Sequence, residues 1–234
     1  VTAAIATLSR RLRHDQRGIT LVELLVAMTL SLLVLTVAGS FLVSSQKASV
    51  TASSVSQNTR VASVVMNEVG RVLRAATDNP VPTGDDSQYA FQYASATSVR
   101  FFAYVNLDST LSKPVEVQLT LDPVAKTITE TKWIGTAVSG NSAYYSFPLA
   151  AGATVTAAPS SKRTLASNVT STTLFTFADA ATQPLGASGP VAATDLPNVR
   201  TVGVSVTIGS SASDPNRVTL ANTASLPNIV MGAS

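Results

Sequence analysis

The stretch "RGITLVELLVAM", Arg17 to Met28, decides how the chain is read. It opens an apolar run, Ile19 to Val43, whose one charged residue is Glu23. At about 1.5 Å per residue, a helix over that run spans the roughly 30 Å hydrocarbon core of a bilayer. A central acidic residue in such a segment costs on the order of 2.5–3.5 kcal/mol on insertion scales. Glu23 therefore calls for a partner.

On the N-terminal side stand Arg10, Arg11, Arg13 and Arg17, opposed only by Asp15. By the positive-inside bias, these arginines hold that end in the cytoplasm and place the rest of the chain outside it. They also account for the basic pI of about 9.4, which at first sight suggests a nucleic-acid binder. From Ile19 onward twelve basic residues balance twelve acidic ones. The chain has no cysteine, and its one histidine, His14, lies in the basic leader. The body thus has no means for Ser–His–Asp or Cys–His catalysis, imidazole-bound zinc or disulfides.

Three readings of the N-terminal segment are open. A secretory signal peptide would use the small residues Val37-Ala38-Gly39 for cleavage, but the apolar run is long for one and Glu23 interrupts it. A plain single-span anchor explains the length and leaves Glu23 unexplained. In the third reading the chain is cut between Gly18 and Ile19, before the apolar run. That cut frees an α-amino group at Ile19, one helical turn from Glu23 and on the same face. The amine of a neighbouring copy or related subunit is the better partner, because packing then joins two chains and Glu23 specifies register.

Gly18-Ile19-Thr20-Leu21-Val22-Glu23-Leu24-Leu25-Val26-Ala27-Met28 resembles the processing signal of the type IV pilin family, which includes the pseudopilins of type II secretion. That signal is a basic leader ending in Gly, an apolar residue, then Thr-Leu-Val/Ile-Glu-Leu-Leu. The resemblance implies that Gly18 is the last leader residue recognised by prepilin peptidase. It implies that Ile19 is the new, N-methylated terminus, and that Glu23 is the acidic residue used in subunit docking. The family's commonest residue at the new terminus is Phe, where this chain has Ile. The family fold is α+β: a long N-terminal helix, half in the membrane and half on the head, and an antiparallel β-sheet domain. The partners implied are other pilin or pseudopilin subunits, the peptidase, and membrane lipid before assembly. The implied location is the cytoplasmic membrane, then a pilus or pseudopilus at the cell surface.

Beyond Val43 the helical pattern persists, with no proline between Ile19 and Asn79. Val55, Val61, Ala62, Val65, Met66, Val69, Val72, Leu73 and Ala76 fall within one arc of a helical wheel, with Arg60, Asn67, Arg71 and Arg74 opposite. Asp78-Asn79-Pro80 ends the helix in this reading. The organisation expected is a leader over 1–18, a helix over 19–78 that is membrane-spanning over 19–43, and a head over 79–234.

In the head the hydrophobic period becomes two. Strands are expected over Thr97–Leu107, Pro114–Asp122, Ala125–Ile134, Thr172–Asp179, Asn198–Gly209 and Arg217–Leu226. The second and third form a hairpin about Asp122-Pro123. Gly135 to Lys162 reads as a looser stretch with a short strand near Tyr144–Phe147, and Ala180–Leu196 as a long loop. The Val199-Arg200-Thr201-Val202 strand followed by a final strand resembles the minor pilin and pseudopilin group, closest to its PilW- and GspJ-like branch.

Asp85-Asp86, Asp108 and Asp122 are loop acids that a calcium site would use, though none shows the spacing of a calcium loop. The plainer reading is turn residues, and no metal or cofactor is assigned. Lys162-Arg163, Arg200 and Arg217 are a candidate basic patch for nucleic acid, against the plainer reading of a solvated face. Tyr89, Phe91 and Tyr93 alternate on one side of a strand, for which core packing against the helix is the plainer reading and surface adhesion the alternative. The function expected is a non-enzymatic minor pilin or pseudopilin. The competing readings are a pilus-borne adhesin or DNA-uptake subunit, and a plain anchored β protein outside the cytoplasm.

Overall fold

The computed structural model describes residues 19–82, 87–105, 113–148, 150 and 152–229. The basic leader, His14, Gly18, Asp85, Asp86 and Asp108 lie outside the described residues. Among the described residues one helix, α1 (Leu21–Arg74), precedes all the β structure. The chain divides into two compact units between Ala52 and Ser53.

In the second unit, α1 buries Ala62, Val65, Met66, Val69, Val72 and Leu73, and Ala76 follows just beyond its end. Arg60, Asn67, Arg71 and Arg74 are exposed, as the wheel requires. Val55 shares the arc of the wheel but is 37% exposed and lies off the core. The helix also stops at Arg74, four residues before Asp78. Ala75 and Ala76 donate to the carbonyls of Val72 and Leu73, tightening the last turn. Ala76 then bridges to Ala103, and the Thr77 N–H donates to the Phe102 carbonyl. Pairing with a strand, rather than the Asp-Asn-Pro sequence, takes the chain out of the helix.

The strands are β1 (Phe91–Ala94), β2 (Ser98–Ala103), β3 (Val115–Asp122), β4 (Thr127–Ile134), β5 (Thr136–Val138), β6 (Asn141–Ser146), β7 (Ser161–Ala166), β8 (Phe175–Ala178), β9 (Pro184–Leu185), β10 (Thr201–Ile208) and β11 (Val218–Ser225). They form a five-stranded sheet in the order β1-β2-β3-β4-β7, a four-stranded sheet β11-β10-β8-β9 and the ribbon β5-β6. All pairings are antiparallel. The fold is therefore α+β, a long N-terminal helix followed by an antiparallel β domain.

Alternation decides which side chains enter the core. Val99 and Phe101 of β2, Val117, Leu119 and Leu121 of β3, Phe175 and Phe177 of β8, and Val202, Val204, Val206 and Ile208 of β10 join the buried face of α1 in one cluster. The β3–β4 turn spans four residues, Pro123 to Lys126, so β4 starts two residues later than its sequence suggests. Lys126 takes a left-handed conformation (φ 55°) to close it. A bulge in β1 between Phe91 and Tyr93 breaks the expected aromatic alternation. Phe91 is buried, Tyr93 is half-buried and Tyr89 is exposed.

Candidate functional site at the N-terminal end of the helix

Thr20 caps α1. Its hydroxyl accepts the Glu23 N–H at 3.2 Å, and its carbonyl accepts the Leu24 N–H at 3.1 Å. This satisfies one of the donors that every helix start leaves open. Glu23 thereby sits in the first turn, where the helix dipole favours negative charge. Thr-x-x-Glu is a legible capping signature that the hydrophobic reading of this stretch passed over.

Every residue from Ile19 to Val43 is exposed within the chain; Ile19 is 71% and Phe41 76% accessible. The Leu21–Val43 portion of α1 covers about 35 Å at the helical rise, and it is long and apolar enough to cross a membrane. Its other polar side chains are satisfied within the helix. Thr29, Ser31, Thr36 and Ser40 donate to the carbonyls of Val26, Ala27, Leu32 and Val37. Such bonds remove the cost of hydroxyls in an apolar medium. The Glu23 carboxylate is different. No basic side chain among the described residues comes within ion-pair distance of it.

A family model described as "Prokaryotic N-terminal methylation motif" matches residues 13–39. The N-terminal signal is of the prepilin type. The prepilin match takes in Gly18, Ile19 and Glu23 and stops at Gly39, before the head. It supports reading the chain as a type IV pilin-like or pseudopilin precursor, a structural class of subunit that assembles with other pilins. Motif and apolar helix together are consistent with membrane anchoring. No curated protein matches the chain.

Among the described residues, the head's candidate site residues do not come together. Asp122 works as a turn residue: its Oδ1 accepts the N–H groups of Val124 and Ala125 at 2.9 and 2.8 Å. No cluster of metal-ligating side chains occurs among the described residues. Arg200 precedes β10 and Arg217 precedes β11, and the β10–β11 register sets them at opposite ends of the ladder. Arg200 is bound to the Pro197 and Val199 carbonyls, and Arg217 to that of Ala212. Arg163 is paired with Glu68 and Glu130. The basic residues are therefore dispersed.

The sequence gives no sign of the pair Arg100–Glu116, buried on the face of the five-stranded sheet away from α1. Arg100 Nε lies 2.9 Å from Glu116 Oε1, and both side chains are inaccessible. The Arg100 guanidinium also donates to the Gly152 carbonyl at 2.8 Å and to that of Ala150. Gln118 donates to the Ala153 carbonyl at 2.7 Å, and Trp133 Nε1 to that of Ala157 at 3.0 Å. Phe147 packs on Phe102 with ring centroids 4.9 Å apart. The stretch read as loose thus forms the β5–β6 ribbon and then a strap, whose Ala150, Gly152, Ala153 and Ala157 carbonyls are held by side chains of β2, β3 and β4. Burial pushes the Glu116 carboxyl up to about 7, with Arg100 opposing the shift. Burial likewise lowers Arg100, against the pull of Glu116.

Proposed function

We propose that this chain is a non-enzymatic minor pilin or pseudopilin. Prepilin peptidase cuts it after Gly18, Ile19 becomes the methylated terminus, and the apolar half of α1 carries it into a type IV pilus or type II secretion pseudopilus. Before assembly the helix spans the cytoplasmic membrane with its N-terminus inside and the head outside. The observation that carries this reading is the uncovered apolar helix whose one charged side chain, Glu23, has no counter-charge among the described residues.

The energetics favour assembly over dispersal in lipid. Sister helices replace lipid contacts with close packing. The α-amine freed at Ile19 on a neighbour supplies the positive charge that Glu23 lacks, so two costly charges are satisfied at once. Pairing between chains fixes the register of one helix against the next, whereas a bare apolar helix can slide. A minor rather than a major role fits a large head with few charges.

Glu23→Ala tests the assignment. The variant is expected to be cut normally and to be depleted from sheared filaments. Normal incorporation would remove the proposed role of Glu23.

A further inference from the structure

On the head, α1 and β7 border an open groove of about 440 Å³. Its apolar lining includes Leu165 and Val64, which sits off the buried arc of α1 and is 64% exposed. Arg71 and Arg163 flank it, held by a shared carboxylate. Glu68 Oε1 and Oε2 accept Arg71 Nη2 and Nε at 2.8 and 3.0 Å, and Glu68 Oε1 also accepts Arg163 Nη2. Arg163 Nε is bound to the buried Glu130, which Lys132 approaches at 3.2 Å.

The acids face inward and the cations outward. Glu68 and Glu130 are 22% and 1% exposed, whereas Arg71 and Arg163 are each 52% exposed. Each arginine keeps its Nη1 without a partner among the described residues. Two guanidinium groups fixed beside an apolar floor suit a carboxylate with an apolar side chain next to it.

The chain itself presents such a feature. Val124, at the tip of the β3–β4 turn, is 91% exposed. Two residues before it, Asp122 uses Oδ1 to bind the turn and leaves Oδ2 without a partner among the described residues. The turn lies at the Asn58 end of the head portion of α1. Lys126 Nζ donates to the Ser210 carbonyl at 3.4 Å, and Asn58 donates to the Asn216 carbonyl at 2.9 Å, at the two ends of one loop. The groove is centred six to ten residues further along the helix, at Val64 to Glu68. At the helical rise that offset is on the order of 10–15 Å.

We propose that the Asp122–Val124 turn of one copy docks in the α1–β7 groove of the next, with Asp122 on Arg71 and Arg163 and Val124 on Val64 and Leu165. Two different surfaces meet, so the contact is heterologous and propagates instead of closing. A shift along the helix matches turn to groove without inverting either copy. The inference rests on the filament reading for its setting, and its contact is testable apart from it.

Cysteine pairing provides the test, because the chain has no native cysteine. Full-length copies carrying Val64→Cys and Val124→Cys, with different tags, are co-expressed and oxidised in membranes. The mixed disulfide dimer is expected well beyond the roughly twofold excess over each self-dimer that random pairing of equal copies gives. Asp122→Asn on the Val124→Cys copy, or high salt, is expected to reduce it, since the charges are half exposed. The 1:2:1 ratio of random pairing, or no mixed dimer, would overturn the inference, as would capture of Val64→Cys solely by an acidic segment of another protein. Filament entry without the mixed dimer would refute the docking and leave the assembly reading intact. The mixed dimer without filament entry would do the reverse.

Discussion

Glu116→Gln should remove a specific pH dependence from the head. An unfolded glutamate titrates near 4.5, and burial raises Glu116 to about 7 in the folded chain. Between these values the folded state holds more protons than the unfolded state, so stability falls as pH rises. At about 1.4 kcal/mol per pH unit, the full gap amounts to about 3 kcal/mol, present below pH 4.5 and lost above 7. Glu68 acts in the opposite sense outside this window. Its hydrogen bond from Arg71, together with Arg163, lowers it to about 2, so its contribution is complete above 4.5 and lost as pH falls toward 2. Burial also raises Asp78, so comparison with wild type is needed to isolate Glu116. Urea unfolding of the full chain in detergent can be followed by its single tryptophan, Trp133, which lies under the strap. Wild type should lose about 3 kcal/mol more than Glu116→Gln between pH 4.5 and 7. Identical slopes would show that Glu116 is not the titrating group.

Two further outcomes follow from the same account. A bulky residue at Gly18, such as Gly18→Trp, should block cutting and leave the precursor in membranes, as read by mass on gels. Leu73→Ala, at a fully buried position on α1, should destabilise the head by about 2–5 kcal/mol in the same urea assay.

The helix and the β domain were legible because their periods differ. The arc from Val61 to Ala76 marked the face that meets the sheets, and the alternating runs of β3, β4, β10 and β11 marked strands. Val55 fitted the same arc, yet it lies where the core has ended, which a wheel cannot show. The Tyr89–Phe91–Tyr93 alternation failed because one bulge shifts the register. The strap was not legible: residues 147–160 have no periodicity, and the Gly152, Ala153 and Ala157 carbonyls are held by Arg100, Gln118 and Trp133 on distant strands. The same holds for Glu68 with Arg163, 95 residues apart in sequence. At the N-terminus, charge, length and Glu23 marked the functional segment, whereas the hydroxyl bonds within the helix required the structure.

The N-terminal residue of the protein recovered from assembled filaments tests the central claim most directly. Sequencing and intact mass should show a chain that starts at Ile19 and carries a methyl group on its amine. Filaments whose subunits retain the arginine-rich leader would contradict it, because no α-amine would then exist at Ile19 to meet Glu23.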